Sequence, residues 1–440
     1  MQCQRAMRHR AGWSPWIVTA LYAGGAIAAG MLLPRVESRL LPHLVSRVSV
    51  SAATAIYSSV ASGMIALTAI VFSLTFMMVQ FSATAYSPRL VLWFARDPLL
   101  AHAFGTFTAT FVYAIAALAW VDRPGLVAQV PRVSALVVIG LLLASVAMFV
   151  GLINRVALLQ ISRTLAFTGD QGRKVIDAIY PDLASPAAVH APHMPAAAAA
   201  QVVTYHGPPL AVEGVRVASL VELAAAADAV IEMVVAVGDT VAESTPLLRV
   251  TGARAAIDER RLMKAVVLGV ERTFDQDPKY AIRLLVDIAI RALSPAINDP
   301  TTAVQALDQI GDLLLRLGRR RLEIGDFSDA AGRLRVIVPF PTWDDFLRLA
   351  FGEICYYGAT SVQVMRRMHA LVTDLIELAP AERRPALAYW QAQLRRSVAA
   401  HFSDTDERAA ALMEDRQGLG VSRRAHSVPP AVEAGIQTGN

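Results

Sequence analysis

Long apolar stretches fill the first 155 residues of the chain, and the rest has a mixed pattern of apolar and charged positions. Four stretches are long enough to cross about 30 Å of hydrocarbon, which takes about 20 helical residues. They span residues 13–33, 56–81, 101–121 and 133–153. Thr106, Thr108 and Thr110 dilute the third stretch, but a helix tolerates threonine because its hydroxyl bonds back to a backbone carbonyl. The pattern predicts a transmembrane block of four helices.

The first stretch also shares features with a cleaved signal peptide. Arg5, Arg8 and Arg10 precede it, and small residues lie near Gly25 and Gly30. Its apolar run is longer than the run of about 7–15 residues that is typical of a signal peptide. We therefore interpret it as a membrane helix.

The arginines that flank the four stretches indicate the orientation, because the cationic side of a membrane protein usually stays in the cytoplasm. The basic tail at residues 1–12, the second loop and the segment after the fourth stretch would lie on one side. The opposite side is also basic, so the bias comes mainly from the two ends of the block. We predict that both termini are cytoplasmic.

The second stretch carries small and polar residues at helical spacing. This polar stripe consists of Ser58, Ser62, Ala66, Ala69, Ser73, Gln80 and Thr84. One interpretation is helix packing, in which small residues allow a close approach, and the other is a hydrated path lined by hydroxyls. The predicted apolar cores contain no Asp, Glu, Lys or Arg, which argues against a proton pump or a voltage sensor.

After residue 155 the pattern predicts a soluble region that takes up more than half of the chain. A helix over 156–180 should end at Pro181, and an Ala/Pro-rich linker over 181–200 should follow. Period-two alternation with interspersed glycines predicts a small β module over 201–254. Residues 255–405 read as a helical domain, and residues 406–440 as a mostly disordered tail.

The β module ends in a strand-turn-strand pattern, Val237-Gly-Asp-Thr-Val followed by Pro246-Leu-Leu, that looks like a biotinyl or lipoyl barrel-sandwich domain. Those domains present a lysine at a hairpin tip, whereas this chain has no lysine between Lys174 and Lys264. The pattern therefore predicts the shape without a covalent cofactor. The expected fold class is mainly α: a four-helix transmembrane block, then a barrel-sandwich-like module and an α-helical domain.

Within the helical domain the apolar periodicity predicts several helices. They span about 259–273, 278–292, 300–317, 343–370 with a break, and 372–402 with a break near Pro380 and Pro385. Thr342 and Asp345 lie three residues apart at the start of one predicted helix, an arrangement close to a capping box.

Two segments end in Asp-Pro directly before an apolar helix. Asp277 and Asp299 are suitable N-caps, and the prolines suit the first helical position. A second interpretation is that the two Asp-Pro loops lie side by side around a polar pocket, in which Arg272 pairs with a carboxylate or holds a small ligand. The candidate pocket residues are Arg272, Asp275, Asp277, Asn298, Asp299 and Thr301.

Composition agrees with a membrane block followed by a soluble block, since 55% of the 440 residues are apolar and 18% are charged. The net charge of +5 forms no basic stripe with interleaved aromatics, so we expect no nucleic-acid partner. Cys3 and Cys355 are expected to be free thiols. No metal site is expected, because His190, His193 and His206 lack ligand spacing. We find no motif of a known catalytic class and expect no cofactor.

The chain resembles the bacterial predicted-membrane-protein family catalogued as domain of unknown function 2254. The likeness covers about residues 13–402. It rests on Phe72-Ser-Leu-Thr-Phe, Ser87-Pro-Arg-Leu, Val237-Gly-Asp-Thr-Val, Arg272-Thr-Phe-Asp-Gln-Asp-Pro, Leu284-Leu-Val-Asp-Ile-Ala and Arg291-Ala-Leu-Ser-Pro-Ala-Ile-Asn-Asp-Pro-Thr-Thr-Ala. The resemblance implies a multi-pass protein of the bacterial inner (plasma) membrane with a cytosolic carboxy-terminal region, and it implies no activity.

Three functions remain open at this point. A homo-oligomeric channel or passive transport protein would place the polar stripe along a central path, with the soluble region as a regulatory vestibule. A membrane-anchored scaffold or sensor would bind a protein or a small ligand through its soluble region. A membrane-bound enzyme would use the pocket around Arg272 and Asp299.

Overall fold

The structure is a computed structural model that describes residues 15–40, 49–85, 98–121, 130–157, 161–184 and 201–421. The chain divides into two compact units, with the boundary between Arg163 and Thr164. We call them the membrane unit and the soluble unit.

The described part of the membrane unit contains four helices, α1 (Pro15–Leu40), α2 (Val50–Ala85), α3 (Pro98–Val121) and α4 (Arg132–Ala157). All four are long and apolar enough to cross a membrane. Each helix contains its predicted apolar stretch except that α1 begins at Pro15, and each continues past that stretch at one end or both. Several extensions contain polar residues, such as Arg35 and Glu37 in α1 and Asn154 in α4, because the hydrogen bonding that stabilises a helix does not stop where its apolar run stops.

Helix α3 lies at the centre of the membrane unit, where it packs against α1, α2 and α4. Glycines allow α1 and α3 to approach closely. A Cβ built on Gly30 would lie 2.5 Å from the Cβ of Ala116, and one on Gly105 would lie 2.8 Å from the Tyr22 ring. Small residues at the crossing let the two backbones approach closely. The resulting van der Waals contact favours helix association in a lipid environment.

The threonines of α3 bond back to the helix, as the sequence predicts. The Thr106 hydroxyl donates to the His102 carbonyl at 2.8 Å, and the Thr110 hydroxyl lies 2.8 Å from the Thr106 carbonyl. Thr110 also lies 2.8 Å from the Ser145 hydroxyl on α4, so it joins two helices in the interior of the unit.

The soluble unit starts with most of helix α5 (Ile161–Ile179), which ends just before Pro181, as predicted. The predicted linker over 181–200 is wrong in its first residues. The Arg321 amide donates to the Pro181 carbonyl at 3.0 Å, and the Leu183 amide donates to the Arg319 carbonyl at 3.0 Å. These residues are ordered because the chain after α5 pairs with a backbone segment distant in sequence. Residues 185–200 of the predicted linker lie outside the described residues.

The β region forms two sheets and, among the described residues, no closed barrel. One sheet has the order β1-β5-β3-β8-β7 and the other has the order β4-β2-β6. Helix α6 (Val217–Ala226) lies between β2 and β3 in sequence. The strands are β1 (Gln201–Tyr205), β2 (Leu210–Val215), β3 (Val230–Met233), β4 (Thr240–Val241), β5 (Thr245–Thr251), β6 (Val266–Gly269), β7 (Asp326–Ser328) and β8 (Leu334–Ile337).

The predicted boundary of the β module at residue 254 is wrong, because β6, β7 and β8 come from the region predicted to be helical. Helix α7 (Glu259–Ala265) stops where β6 begins, so the helix predicted over 259–273 is wrong beyond Ala265. Val266 and Val267 are β-branched and pair with β2, which favours a strand over continued helix. Strand β8 pairs in parallel with β3, about 100 residues earlier in the chain.

The helices within residues 278–402 agree with the predicted domain, except that the division predicted at residue 371 is wrong because Val362–Leu378 is one continuous helix. Gly358 to Ser361 forms the expected break between α10 and α11, and Pro380 lies at the expected break before α12. Thr342 and Asp345 form a full capping box at the start of α10. The helices are α8 (Pro278–Ala292), α9 (Pro300–Gly318), α10 (Trp343–Tyr357), α11 (Val362–Leu378), α12 (Arg384–His401) and α13 (Thr405–Leu412).

The prediction of a mostly disordered tail from residue 406 is wrong as far as Val421. Asp404 caps α13, and the buried Asp415 carboxylate accepts from the amides of Gln417 and Gly420 at 2.7 and 2.6 Å. Local capping and burial against α11 hold this segment, although it contains few apolar residues. Residues 422–440 lie outside the described residues.

Candidate functional site

The polar stripe of α2 faces outward from the membrane unit. Ser58, Ser62, Ser73 and Gln80 are exposed, as are the two alanines between them, whereas the side chain of Thr84 lies outside the described residues. A different side of the same helix faces the interior of the unit. Its buried residues are Ala53, Tyr57, Val60, Ala61, Met64 and Val71.

Within the described part of one chain, this arrangement argues against the packing interpretation of the stripe. Packing of α2 against the other described helices uses the buried side, so Ser58, Ser62 and Ser73 do not serve that packing. The stripe is left for a contact between copies of the chain, for a hydrated path, or for lipid.

The first Asp-Pro loop is held by a buried ion pair. The Arg272 Nε atom donates to Asp277 at 2.7 Å, and a second guanidinium nitrogen lies 2.6 Å from the same carboxylate. Asp277 also caps α8 by accepting from the Lys279 amide at 3.1 Å, as predicted. Burial raises the pKa of the Asp277 carboxyl above its usual range, and the Arg272 guanidinium opposes that shift. Asp275 is exposed.

The same loop joins the β region to α8. Gln276 accepts a hydrogen bond from the Val215 amide at 2.9 Å, at the end of β2. The Arg272 guanidinium lies 5.2 Å from the centre of the Tyr280 ring, in the range of a cation–π contact. Gly238 adopts a φ of +92° directly against the ion pair. These contacts make the loop a structural junction.

The second Asp-Pro loop has simpler contacts. Asp299 caps α9 by accepting from the Thr302 amide at 3.1 Å, as predicted, and from the Thr302 hydroxyl at 2.6 Å. Asn298 is exposed and adopts a φ of +47°, a conformation that asparagine tolerates better than most residues. Thr301 is exposed and accepts from Gln363 at 3.4 Å.

The two loops do not form one pocket, which corrects the second interpretation of these motifs. They lie at opposite ends of α8, whose 15 residues extend about 22 Å at 1.5 Å per residue. Arg272 and Asp277 therefore meet in one loop, while Asn298, Asp299 and Thr301 lie in the other. The ion pair proposed for Arg272 forms within the first loop alone.

The histidines considered for a metal site are separated. His190 and His193 lie outside the described residues. His206 pairs with Glu243 at 2.7 Å, with both side chains exposed. The His206 ring and the Gly207 amide lower the pKa of the Glu243 carboxyl. This pair connects the turn between β1 and β2 to the segment before β5.

A groove between α10 and α12 was not anticipated from the sequence. It has a volume of about 330 Å³ and contains an aromatic wall of Tyr356, Tyr389 and Trp390, with Cys355 and His401 beside it. Tyr356 is 77% exposed and Tyr389 is 55% exposed. Burial raises the pKa of the Cys355 thiol, so the thiol is less easily ionised than a free cysteine. The groove brings together residues of two helices that are separate in sequence, so local residue spacing does not reveal it.

Glu37 is a further residue that the sequence analysis missed. It lies near the end of α1 and is 5% exposed. Its carboxylate accepts from the Val133 amide at 2.8 Å and from the Ser134 amide at 3.3 Å, so it caps α4 from a neighbouring helix. The sequence showed only an acid after an apolar run, a pattern that usually marks a helix end at the surface.

Comparison with known proteins supports the family resemblance. A family described as predicted membrane protein (DUF2254) matches residues 13–374. An uncharacterised protein of Mycobacterium tuberculosis (strain H37Rv) and one of Mycobacterium bovis are each 28% identical over 429 residues, which cover 94% of this chain and 82% of theirs. No solved structure matches the chain. Because the family match covers four membrane-length helices and most of the soluble unit, the chain belongs to the predicted membrane protein family DUF2254.

Proposed function

We propose that the protein is a homo-oligomeric channel or passive transport protein of a bacterial inner (plasma) membrane. In this proposal α2 faces a path shared by several copies. The observation that carries it is the outward position of the hydroxyls of Ser58, Ser62 and Ser73 on a helix whose other side holds the unit together.

The outward hydroxyls favour a surrounding that can form hydrogen bonds with them. Lipid chains offer no hydrogen-bonding partner, whereas a path between copies provides water on one side and hydroxyls on the other. A row of hydroxyls without a charged side chain suits passive movement of a solute better than coupled transport. Because the close helix packing of the membrane unit involves α3, the polar stripe of α2 is available to line such a path.

The proposed orientation places both termini, and with them the soluble unit, in the cytoplasm. It is supported by Arg5, Arg8 and Arg10 before α1 and by the basic residues that follow α4, including Arg163 and Arg173. The soluble unit then serves as a regulatory vestibule. The proposal gives the chain no catalytic role.

The test is flux through purified protein reconstituted in liposomes, measured for inorganic ions and for small neutral solutes. Ser62→Ile and Ser73→Ile should each reduce flux at least several-fold, because a branched apolar side chain narrows and dewets the path. Ala147→Ile, at an exposed position of α4, is the matched control and should leave flux unchanged. Flux that is the same in all four proteins would contradict the proposal.

A membrane-anchored scaffold or sensor is the second candidate, and the groove between α10 and α12 favours it. Exposed aromatic rings around a concave surface are common in binding sites. Full-length protein should then recover a reproducible partner from detergent-solubilised membranes, and Tyr356→Ala with Tyr389→Ala should abolish the recovery. The same proteins recovered by both forms would count against the groove as a binding site.

A further inference from the structure

Four polar side chains, one from each helix of the membrane unit, are buried near one end of that unit. They are Glu37 on α1, Tyr57 on α2, Tyr113 on α3 and Ser134 on α4, with exposures of 5%, 2%, 1% and 2%. Glu37 lies three residues before the end of α1, and Ser134 is in the first turn of α4. We call these residues the Glu37 cluster.

The Glu37 carboxylate is fixed in place by the start of α4. Its two oxygens accept from the Val133 and Ser134 amides at 2.8 and 3.3 Å. These two amides are among the donors that the first turn of a helix leaves without an intrahelical partner. A carboxylate has about four lone-pair positions, and these two amides use two of them. Among the described residues, Glu37 therefore keeps acceptor capacity for a further partner.

The three hydroxyls of the cluster have no hydrogen-bond partner in the part of the chain that the structure describes. The Tyr57, Tyr113 and Ser134 oxygens are inaccessible and make no hydrogen bond to any described residue. The Glu37 carboxylate acts electrostatically on both tyrosine hydroxyls, and the Tyr113 hydroxyl is a neighbour of Ser134. An unpaired buried hydroxyl costs about 1–3 kcal/mol in proteins. Three unpaired buried hydroxyls near one carboxylate therefore indicate a ligand-binding site.

We propose that the Glu37 cluster binds one hard monovalent cation of the size of Na⁺ or K⁺. All of its donor atoms are oxygens, which hard cations prefer. One carboxylate balances one positive charge, and the neutral hydroxyls complete the coordination without adding charge. A Ca²⁺ site commonly uses several carboxylates, and Mg²⁺ retains several waters, so the cluster suits neither.

The test is the thermal stability of the full-length protein in detergent micelles, at constant ionic strength, in NaCl or KCl against choline chloride. A ligand that binds only the folded state raises Tm, and saturating Na⁺ or K⁺ should raise it by about 2–4 °C. Glu37→Gln should abolish the response. Tyr57→Phe with Tyr113→Phe should weaken it at least several-fold, without a lower Tm in choline chloride, because the change removes two unpaired buried hydroxyls.

Ser59→Ala, at an exposed position of α2 outside the polar stripe, is the control and should respond as the native protein does. Binding of radioactive ²²Na⁺ to the purified protein gives a second readout that does not depend on stability. A Tm that is the same in NaCl, KCl and choline chloride would overturn the proposal and leave water as the partner of the hydroxyls. An unchanged cation response in the double tyrosine variant would overturn it as well.

Discussion

Replacing Arg272 with methionine should destabilise the soluble unit strongly, because it leaves Asp277 buried without its partner. Removing one member of a buried ion pair costs about 3–5 kcal/mol. The Asp277 side chain is 2% exposed but that of Arg272 is 23% exposed, so we expect the lower end, about 3 kcal/mol. For a unit of this size 1 kcal/mol corresponds to about 2–4 °C, so Tm should fall by about 6–12 °C.

The loss should also depend on pH. Burial already raises the pKa of Asp277, and Arg272 is the strongest influence against that shift. Without Arg272 the folded-state pKa rises further above the unfolded value of about 3.9. A group with a raised folded-state pKa favours folding at low pH, and that contribution is lost as pH rises through the folded-state pKa. The Arg272→Met variant should therefore be less destabilised at pH 5 than at pH 8.

The assay is thermal unfolding of the full-length protein in detergent, followed by tryptophan fluorescence at pH 5 and pH 8. Adding Asp277→Asn to Arg272→Met should recover part of the lost Tm at pH 8, since no charge is then buried. Arg249→Met is the matched control: Arg249 lies 3.7 Å from Glu232 with both side chains about half exposed, and such a pair contributes about 0–1 kcal/mol. A loss in Arg272→Met no larger than in this control, or equal at both pH values, would refute the reasoning.

Three further changes test other parts of the structure. Gly238→Ala should lower Tm of the soluble unit by an amount equivalent to about 1–3 kcal/mol, because φ is +92° and the new Cβ would strike a carboxylate oxygen of the first Asp-Pro loop. Thr110→Val should weaken the membrane unit by about 0.6 kcal/mol through loss of the contact with Ser145, measured as a lower unfolding midpoint in denaturing detergent. Arg335 lowers the pKa of Asp329 to about 2, so this carboxylate favours folding above the ordinary aspartate pKa and loses its effect as pH falls toward 2. In Asp329→Asn, Tm should fall less steeply between pH 4 and pH 2 than in the native protein.

Features with local causes were predictable from the sequence. The four membrane helices follow from apolar length, and the caps at Asp277 and Asp299 follow from side chains that reach amides two or three residues away. The end of α5 before Pro181 is also local. The length of the helix predicted between the two Asp-Pro loops was already enough to separate them by about 20 Å.

Features with distant causes were not predictable. Strand β8 has four residues and pairs with β3, so its conformation depends on a partner far away in the chain. Glu37 is buried because the start of α4 folds against it. The outward position of the polar stripe depends on α3 being the central helix of the membrane unit, which the sequence does not show. Period and spacing identify which residues share a face, and packing decides what that face contacts.

The central claim is that the polar stripe of α2 faces water in the assembled protein. The most direct measurement introduces single cysteines at Ser62, Ser73 and Ile70, with Cys3 and Cys355 replaced by serine, and follows their reaction with a membrane-impermeant, water-soluble thiol reagent in intact membranes. Ile70 is 51% exposed and lies about 60° around α2 from Ser73, at the edge of the polar stripe, so it serves as the apolar reference. The account predicts fast reaction at positions 62 and 73 and slow reaction at position 70. Equally slow reaction at all three positions would contradict it.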